Sequence, residues 1–206
     1  LEKLFVETKY LVTGTILLSS PISAETISFL LEKAKKFEVK IVIDLNWRKV
    51  FWDHSSLSSE ISSAARVNLI KKFLNHANVL KLAKEEATLF FEDENPLLIS
   101  QQLFNRPDVV ITDGKNPIAW YINGLRGITE TPISQEIVDT TGAGDAFLAG
   151  LISKLITSGY PSNELEIEDC IKFAGVCGLL TCLGEGAIEQ QPYYENVRKF
   201  LGSLIR

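Results

Sequence analysis

The sequence predicts an α/β protein, a three-layer α/β/α sandwich in which helices cover both faces of a mostly parallel central sheet. In the first half, apolar strand-like runs alternate with helical stretches. The run VKIVIDL at 39–45 is apolar on both faces, which is typical of a strand buried in a parallel sheet. After Asp113, turn residues interrupt short β runs and predict a β-meander. Residues 1–206 show no internal repeat or linker, so we predict a single domain.

The same patterns place each element along the chain. Strands are predicted where β-rich apolar runs are bounded by turn or helix signals, at 10–14, 39–45, 77–82 and 108–112. Helices are predicted where apolar residues recur at helical spacing, at 24–37, 61–76, from 84 onward, and at 96–104, 142–157, 165–182 and 193–204.

Composition and charge exclude several classes of function. The chain has 206 residues, of which 46% are hydrophobic and 23% charged, a balance that suits a globular protein with a substantial core. The net charge is −5 and no Lys/Arg run exceeds two residues, which argues against nucleic acid as a partner. No apolar run reaches the ~18 residues of a membrane span, and no secretory signal opens the sequence.

The few cysteines and histidines do not form a predicted metal or disulfide pattern. Cys170, Cys177 and Cys182 contain no CxxC pair, so we predict buried reduced thiols and, from them, a reducing compartment, the cytoplasm. His54 and His76 lie 22 positions apart without a cysteine or carboxylate pattern, and we predict no zinc site. The sequence contains no methionine and opens inside an element, so we expect a fragment or processed chain.

The segment DTTGAGDAF at 139–147 carries the main functional prediction. Small residues at Gly142, Ala143 and Gly144 precede a predicted helix, whose free N–H groups and partial positive charge suit an anion. Asp145 follows and could accept a proton from an attacking hydroxyl. The alternative is an ordinary helix start capped by Thr141. The spacing is neither that of a Walker loop nor that of a Rossmann glycine motif.

The whole string resembles the second signature of the PfkB-type, or ribokinase-like, carbohydrate kinases. That resemblance implies ATP-dependent phosphorylation of a sugar hydroxyl, with Mg²⁺ as cofactor. Asp145 would be the base, and Gly142, Ala143 and Gly144 would form the anion hole. Asp139 and Thr141 would lie beside a site for a monovalent cation such as K⁺, and Thr141 would also border the nucleotide.

Two stretches in the first half resemble further motifs of that family. The sequence DLNWR at 44–48 resembles D-x-N-x-R, which implies that Asn46 and Arg48 bind substrate or phosphate. The alternative is a loop arginine on a solvated face. The sequence KLAKEE at 81–86 falls where the family carries N-x-x-E, whose polar pair helps to hold Mg²⁺ through water. Glu86 matches, whereas Ala83 replaces the asparagine.

Three later stretches resemble the family's nucleotide and cation sites. Their members are Thr112, Gly114 and Lys115 beside the phosphates, Ala174, Gly175 and Gly178 on a helix flanking the adenine, and Gly184 and Gly186 in a turn completing the cation site. Small residues on that helix have an alternative role, which is to let helices pack closely.

The resemblance covers all 206 residues but only the C-terminal two-thirds of a typical member. It implies that the β-sheet lid and most sugar-contacting residues are missing. Fructose is the first expected substrate, before a sugar acid or ribose, and the full-length protein is expected to form a homodimer. The alternative function is a non-catalytic fructokinase-like scaffold or an inactive fragment. A preceding targeting peptide would place the protein in a plastid instead.

Overall fold

The structure is a computed structural model that describes residues 2–53, 63–134 and 136–204. It contains two compact units, Leu1–Ile111 and Thr112–Arg206. The predicted single domain stays a prediction. The predicted alternation of strands and helices is confirmed.

The first unit is built on neighbouring strands of one sheet. In sheet order they are β1 (Tyr10–Gly14), β2 (Lys40–Asp44), β3 (Val79–Ala83) and β4 (Asp108–Asp113), the last of which begins in this unit. Strand β2 pairs in parallel with both β1 and β3, and its last residue, Asp44, lies opposite Lys81 in the register. Four of its five residues are buried, as the two-sided apolar run predicts.

Six helices accompany these strands among the described residues. They are α1 (Glu2–Glu7), α2 (Pro21–Lys36), α3 (Lys49–Asp53), α4 (Ser63–Leu74), α5 (Lys84–Phe91) and α6 (Pro96–Gln102), with a 3-10 helix at Thr15–Ser19. Helix α2 begins three residues earlier than predicted, because Pro21 at its first position fixes a helical φ. The sequence analysis missed α1, α3 and the 3-10 turn, which are too short to show periodicity. The predicted helix start at 61–62 and His54 lie outside the described residues.

The second unit opens with an antiparallel hairpin, which belongs to the β-meander predicted after Asp113. Strands β5 (Asn116–Ile122) and β6 (Leu125–Thr129) pair antiparallel. Asn123 and Gly124 between them both have positive φ, 50° and 78°, which is the backbone of a tight hairpin turn. A Cβ atom at Gly127 would lie 2.3 Å from the Trp120 ring, so the indole packs flat against a glycine.

Among the described residues of the second unit, the helices are α7 (Ala143–Thr157), α8 (Glu164–Thr181) and α9 (Tyr194–Leu204). Helices α7 and α8 pack closely, because a Cβ atom at Gly150 would lie 2.7 Å from Cys177 Sγ and 3.0 Å from Ala174 Cα. The three cysteines are free and buried, as predicted. None of the described helices combines the length and apolar character that a membrane crossing requires.

Candidate active site

The loop at 139–145 is shaped by a glycine that no other residue could replace without cost. Gly142 is the N-cap of α7 and has φ +81°, in the left-handed region that side chains disfavour. A Cβ atom at this position would also lie 2.7 Å from Cβ of Ala187. Conformation and space therefore both require glycine where the chain turns into the helix.

The first turn of α7 leaves backbone N–H groups available. Ala143 N–H donates to Thr140 O at 3.2 Å, and Ala146 N–H donates to Gly142 O at 2.9 Å. Gly144 and Asp145 N–H make no hydrogen bond to another described residue. Unpaired amides at a helix N-terminus carry partial positive charge and suit an anion. The available amides are thus those of Gly144 and Asp145, while that of Ala143 is already engaged.

Asp145 is the third residue of α7, and its side chain is exposed. Its carboxylate makes no hydrogen bond or ion pair with another described residue. The partial positive charge at the start of a helix attracts anionic groups. The exposed oxygens of Asp145 can accept a hydrogen bond from an approaching hydroxyl group.

A cavity of about 470 Å³ lies within the second unit, beside this loop. One part of its wall is polar or glycine-rich and contains seven residues that the sequence analysis singled out, namely Thr112, Gly114, Lys115, Ala143, Gly144, Gly175 and Gly178. The predicted residues Gly142, Thr141 and Ala174 do not line it. The structure thus brings together most of the predicted nucleotide residues.

The remainder of the cavity wall is largely apolar. Its apolar members are Ile118, Pro132, Ile133, Ile137, Phe147, Leu179 and Cys182. Sequence reasoning missed the segment around Pro132, because it has no regular structure and no motif. A flat apolar group is the kind of ligand part that such a wall binds.

The two cavity glycines of α8 serve packing as well as space. A Cβ atom at Gly175 would lie 3.0 Å from Pro132 Cδ, and one at Gly178 would lie 3.0 Å from Ala143 O. The second contact lets the start of α7 approach α8. Gly175 and Gly178 therefore have both of the roles considered above: they allow close packing and they leave room in the cavity.

Asp139 is hydrogen-bonded to two other residues of the predicted cation site. Its Oδ1 accepts from Thr141 N–H at 2.9 Å and from the Thr141 hydroxyl at 2.7 Å, and its Oδ2 accepts from Gly186 N–H at 3.0 Å. The hydrogen bonds from Thr141, and then that from Gly186, lower the pKa of Asp139 below its ordinary range. The fourth predicted member, Gly184, packs on the side chain of Gln190, since a Cβ atom there would lie 2.2 Å from Gln190 Cγ.

In the first unit, the predicted substrate residues follow β2. Leu45 N–H donates to Lys81 O at 2.9 Å, and Leu45 O accepts from the buried Thr15 hydroxyl at 2.5 Å. Asn46 comes next with φ +42°, and Arg48 is exposed. The polar side chains of this segment thus follow a backbone that is held firmly at Leu45.

The carboxylate of Glu86 accepts hydrogen bonds from two backbone N–H groups. Its Oε1 accepts from Trp47 N–H at 2.5 Å and its Oε2 from Ala83 N–H at 2.8 Å. Ala83 is the N-cap of α5, and its methyl group offers no acceptor for the first turn. Among the described residues, no group of three or more His, Cys, Asp or Glu side chains could hold a metal ion.

The sequence analysis missed an ion pair between β2 and β3, which joins Asp44 and Lys81. Lys81 Nζ lies 3.2 Å and 3.1 Å from the two carboxylate oxygens of Asp44, and both side chains are buried. A lysine inside the apolar run VLKLA was the available signal, since a charge on a buried strand needs a partner.

Comparison with known proteins shows the family to which this sequence is similar. Residues 1–193 match the family model described as pfkB family carbohydrate kinase. A fructokinase of Salmonella thompson is 28% identical over 200 residues, which are 95% of this chain and 86% of that protein.

Solved structures show the same fold. A fructokinase of Xylella fastidiosa with bound ATP matches all of this chain with a TM-score of 0.86 at 22% identity. A fructokinase of Vibrio cholerae O395 with fructose, ADP and a calcium ion matches 94% of it with a TM-score of 0.80 at 25% identity. This chain spans 65% and 61% of those two proteins. The predicted ribokinase-like α/β fold class is confirmed.

Proposed function

Because the chain belongs to the pfkB family of carbohydrate kinases, we propose that the complete protein transfers the γ-phosphoryl group of ATP to a hydroxyl of a small sugar. Fructose is the first candidate, since relatives and structural neighbours are named fructokinases. The observation that carries the proposal is the N-terminus of α7, where Gly144 lines the cavity. The next residue, Asp145, is exposed, and its carboxylate has no hydrogen bond or ion pair with another described residue.

Asp145 is the proposed base. Its carboxylate takes the proton of the sugar hydroxyl as the oxygen attacks the γ-phosphorus, so that a new P–O bond forms. The bond between that phosphorus and the β,γ-bridging oxygen breaks, and ADP leaves with the electron pair. The side chain of Asp145 is exposed, so an approaching hydroxyl group can reach its carboxylate oxygens.

The amides at the start of α7 are the proposed anion hole. The transferring phosphoryl group carries its charge on three equatorial oxygens, and fixed N–H donors stabilise that charge without reorganising. Gly144 and Asp145 have the amides available for this role, and Gly142 allows the turn that exposes them. Ala143 contributes through its place in the cavity wall.

The cavity of the second unit is the proposed ATP site. Thr112, Gly114 and Lys115 would meet the phosphates, since the Lys115 ammonium group adds a positive charge to that part of the wall. The apolar wall around Gly175 and Gly178 would hold the adenine base. Ala174 and Thr141, which do not line the cavity, would act from the same helix and from the loop before α7. A volume of about 470 Å³ is in the range of small-ligand sites.

Two cations belong to the proposal. Mg²⁺ neutralises charge on the phosphates, keeps several waters and needs one or two carboxylates. Glu86 fits a contact through water, because each of its oxygens accepts one N–H and retains a lone pair. A monovalent cation such as K⁺ fits the carboxylate of Asp139, which is hydrogen-bonded both to Thr141 in its own loop and to Gly186 in the turn that also contains Gly184.

Asn46 and Arg48 are proposed to bind the acceptor or a phosphate. An exposed guanidinium group offers paired donors to an anion, and the amide of Asn46 offers both a donor and an acceptor to a sugar hydroxyl. The compartment is proposed to be the cytoplasm, with a plastid as the alternative, and the full-length protein a homodimer.

A non-catalytic fructokinase-like scaffold is the second candidate, and Ala83 is the observation that favours it. The asparagine of the N-x-x-E pattern is replaced by a methyl group that can neither hold a metal-bound water nor cap α5.

A coupled assay of ADP release on the full-length protein, with fructose, ribose and a 2-keto-3-deoxy sugar acid, separates the two candidates. Sugar-dependent ADP release supports the kinase. ATP binding by calorimetry without ADP release on any of these sugars would leave the scaffold as the function.

A further inference from the structure

We infer that Glu86 is a positioning residue, which fixes the Asn46–Arg48 segment by clamping Trp47 to helix α5 before any metal binds. The role is separate from the water-mediated contact with Mg²⁺. Its consequence for catalysis depends on the proposed function, whereas the clamp itself is a property of the folded protein.

One carboxylate connects the ends of two neighbouring strands. Glu86 Oε1 accepts from the backbone of Trp47, three residues after β2, and Oε2 accepts from the backbone of Ala83, the last residue of β3. Hydrogen bonds in which the acceptor is charged are shorter and roughly twice as strong as neutral ones. Removal of the carboxylate would take away the hydrogen-bond acceptor of two half-buried N–H groups, those of Trp47 and Ala83.

Helix α5 also contacts the side chain of Trp47. Phe90 lies four positions after Glu86, so both project from one face of α5. The Trp47 ring packs edge-on against Phe90, with ring centroids 5.5 Å apart, and lies 5.4 Å from the ring of buried Trp52. Glu86 thus holds the backbone of Trp47 while Phe90 and Trp52 hold its side chain.

The segment needs such a clamp because its backbone is not in a relaxed conformation. Asn46 has φ +42°, which costs free energy in a residue with a side chain and persists only when its surroundings fix it. Leu45 is anchored on one side of Asn46 by Lys81 and Thr15, and Trp47 is anchored on the other by Glu86. The two anchors together set the positions from which Asn46 and Arg48 act.

Metal-free full-length protein tests the clamp without catalysis. In the presence of a chelator, Glu86→Gln should speed hydrogen exchange of the peptide containing the Trp47 amide by about tenfold or more. A neutral amide has one acceptor oxygen and cannot serve both N–H groups. Tryptophan emission should shift to longer wavelength, and the shift should vanish in a Trp47→Phe background. Glu85→Gln is the matched control, an exposed neighbour that should change neither signal.

Glu86→Asp separates the clamp from metal binding and serves if the glutamine variant fails to fold. It keeps the charge that a hydrated Mg²⁺ needs. Because its side chain is shorter by one methylene, its carboxylate can no longer bind the N–H groups of Trp47 and Ala83 at the same time. Both variants should raise the KM for the sugar by about tenfold or more, while the Mg²⁺ concentration for half-maximal rate changes less in the aspartate variant.

Unchanged exchange and emission in both metal-free variants would overturn the inference. So would a change confined to the Mg²⁺ requirement. Absence of kinase activity in wild-type protein, with the exchange and emission changes present, would defeat the proposed function and leave the clamp standing.

Discussion

A Cβ atom placed on Gly142 would lie 2.7 Å from the Cβ of Ala187, closer than such atoms approach in proteins. The start of helix α7 and the turn that follows α8 are therefore in contact at a point with no room for a side chain. Asp139 spans the same junction through its hydrogen bond from Gly186 N–H. The geometry of the proposed anion hole consequently depends on a turn more than 40 residues further along the chain.

Gly142→Ala should destabilise the protein and abolish ATP binding. Left-handed φ disfavours alanine, and the clash with Ala187 adds to that cost, so we expect a loss of about 2–4 kcal/mol in the free energy of unfolding. Gly186→Ala separates the two causes, because Gly186 has φ +76° but open space around its Cβ position. It should cost about 1 kcal/mol.

Gly202→Ala is the control for this series. Gly202 lies in helix α9 with open space around it and no positive φ, so alanine there should be neutral or stabilising by up to about 1 kcal/mol. Urea denaturation of the three variants measures the order. Equal stabilities of the Gly142 and Gly186 variants would contradict the role assigned to Ala187.

Asp145→Asn should lower kcat by about 10²–10⁴-fold, since an amide cannot accept the proton of the sugar hydroxyl. ATP affinity, measured by calorimetry, should change little because the amides and the cavity are retained. Glu195→Gln is the matched control, as Glu195 is also an acidic residue in the first turn of a helix, α9, but does not line the cavity. Full activity of the Asp145 variant would eliminate the proposed base.

The parts of the site that the sequence predicted are those carried by local patterns. Gly142–Asp145 is a contiguous string whose small residues and helix start have one physical meaning, and the structure places it at a helix N-terminus beside a cavity. The strand β2 was readable from its two-sided apolar run for the same reason. Neither needed information about distant residues.

The parts that the sequence did not predict depend on contacts between distant residues. Ile133 and Ile137 lie in an irregular segment, and only the fold shows that they line the same cavity as Phe147. Glu86 could be matched to a metal motif, but its hydrogen bond to Trp47 joins residues 39 positions apart. Single-sequence periodicity carries no signal for such pairs.

Cys177 should resist alkylation in the folded protein. Burial raises the pKa of its thiol to about 11, so at pH 8 only about 0.1% is thiolate, against roughly a quarter for a free cysteine. The thiolate is the reactive form, so the labelling rate should rise about tenfold per pH unit up to the pKa. Iodoacetamide labelling followed by peptide mass spectrometry checks this. Complete labelling in guanidinium chloride is the control, and rapid labelling of native protein at pH 8 would contradict the burial.

Lys81→Met should strongly destabilise the first unit. It removes the ammonium group that pairs with the buried Asp44 carboxylate, and breaking a buried ion pair typically costs roughly 3–5 kcal/mol. Lys72→Met, at an exposed lysine of helix α4, should stay within about 0.5 kcal/mol of wild type.

The Lys81→Met, Asp44→Asn double variant completes a cycle for this pair. If the two buried groups stabilise each other, the double variant should lose less than the sum of the two single losses. Additive losses in urea denaturation would show that Lys81 and Asp44 do not interact in solution.

Ala83→Asn should stabilise helix α5, because an asparagine at the N-cap supplies the acceptor that alanine lacks. Ala83 already has the extended backbone of an N-cap, with φ −80° and ψ 158°, and Glu86 already binds its N–H. The capping box lacks only the side-chain acceptor at position 83. Supplying it should raise the free energy of unfolding by about 1 kcal/mol. Ala83→Val, which adds bulk without an acceptor, is the control and should give no gain. If both variants unfold at the same urea concentration as wild type, the first turn of α5 obtains nothing from a side-chain cap, and the departure at Ala83 has no stability cost.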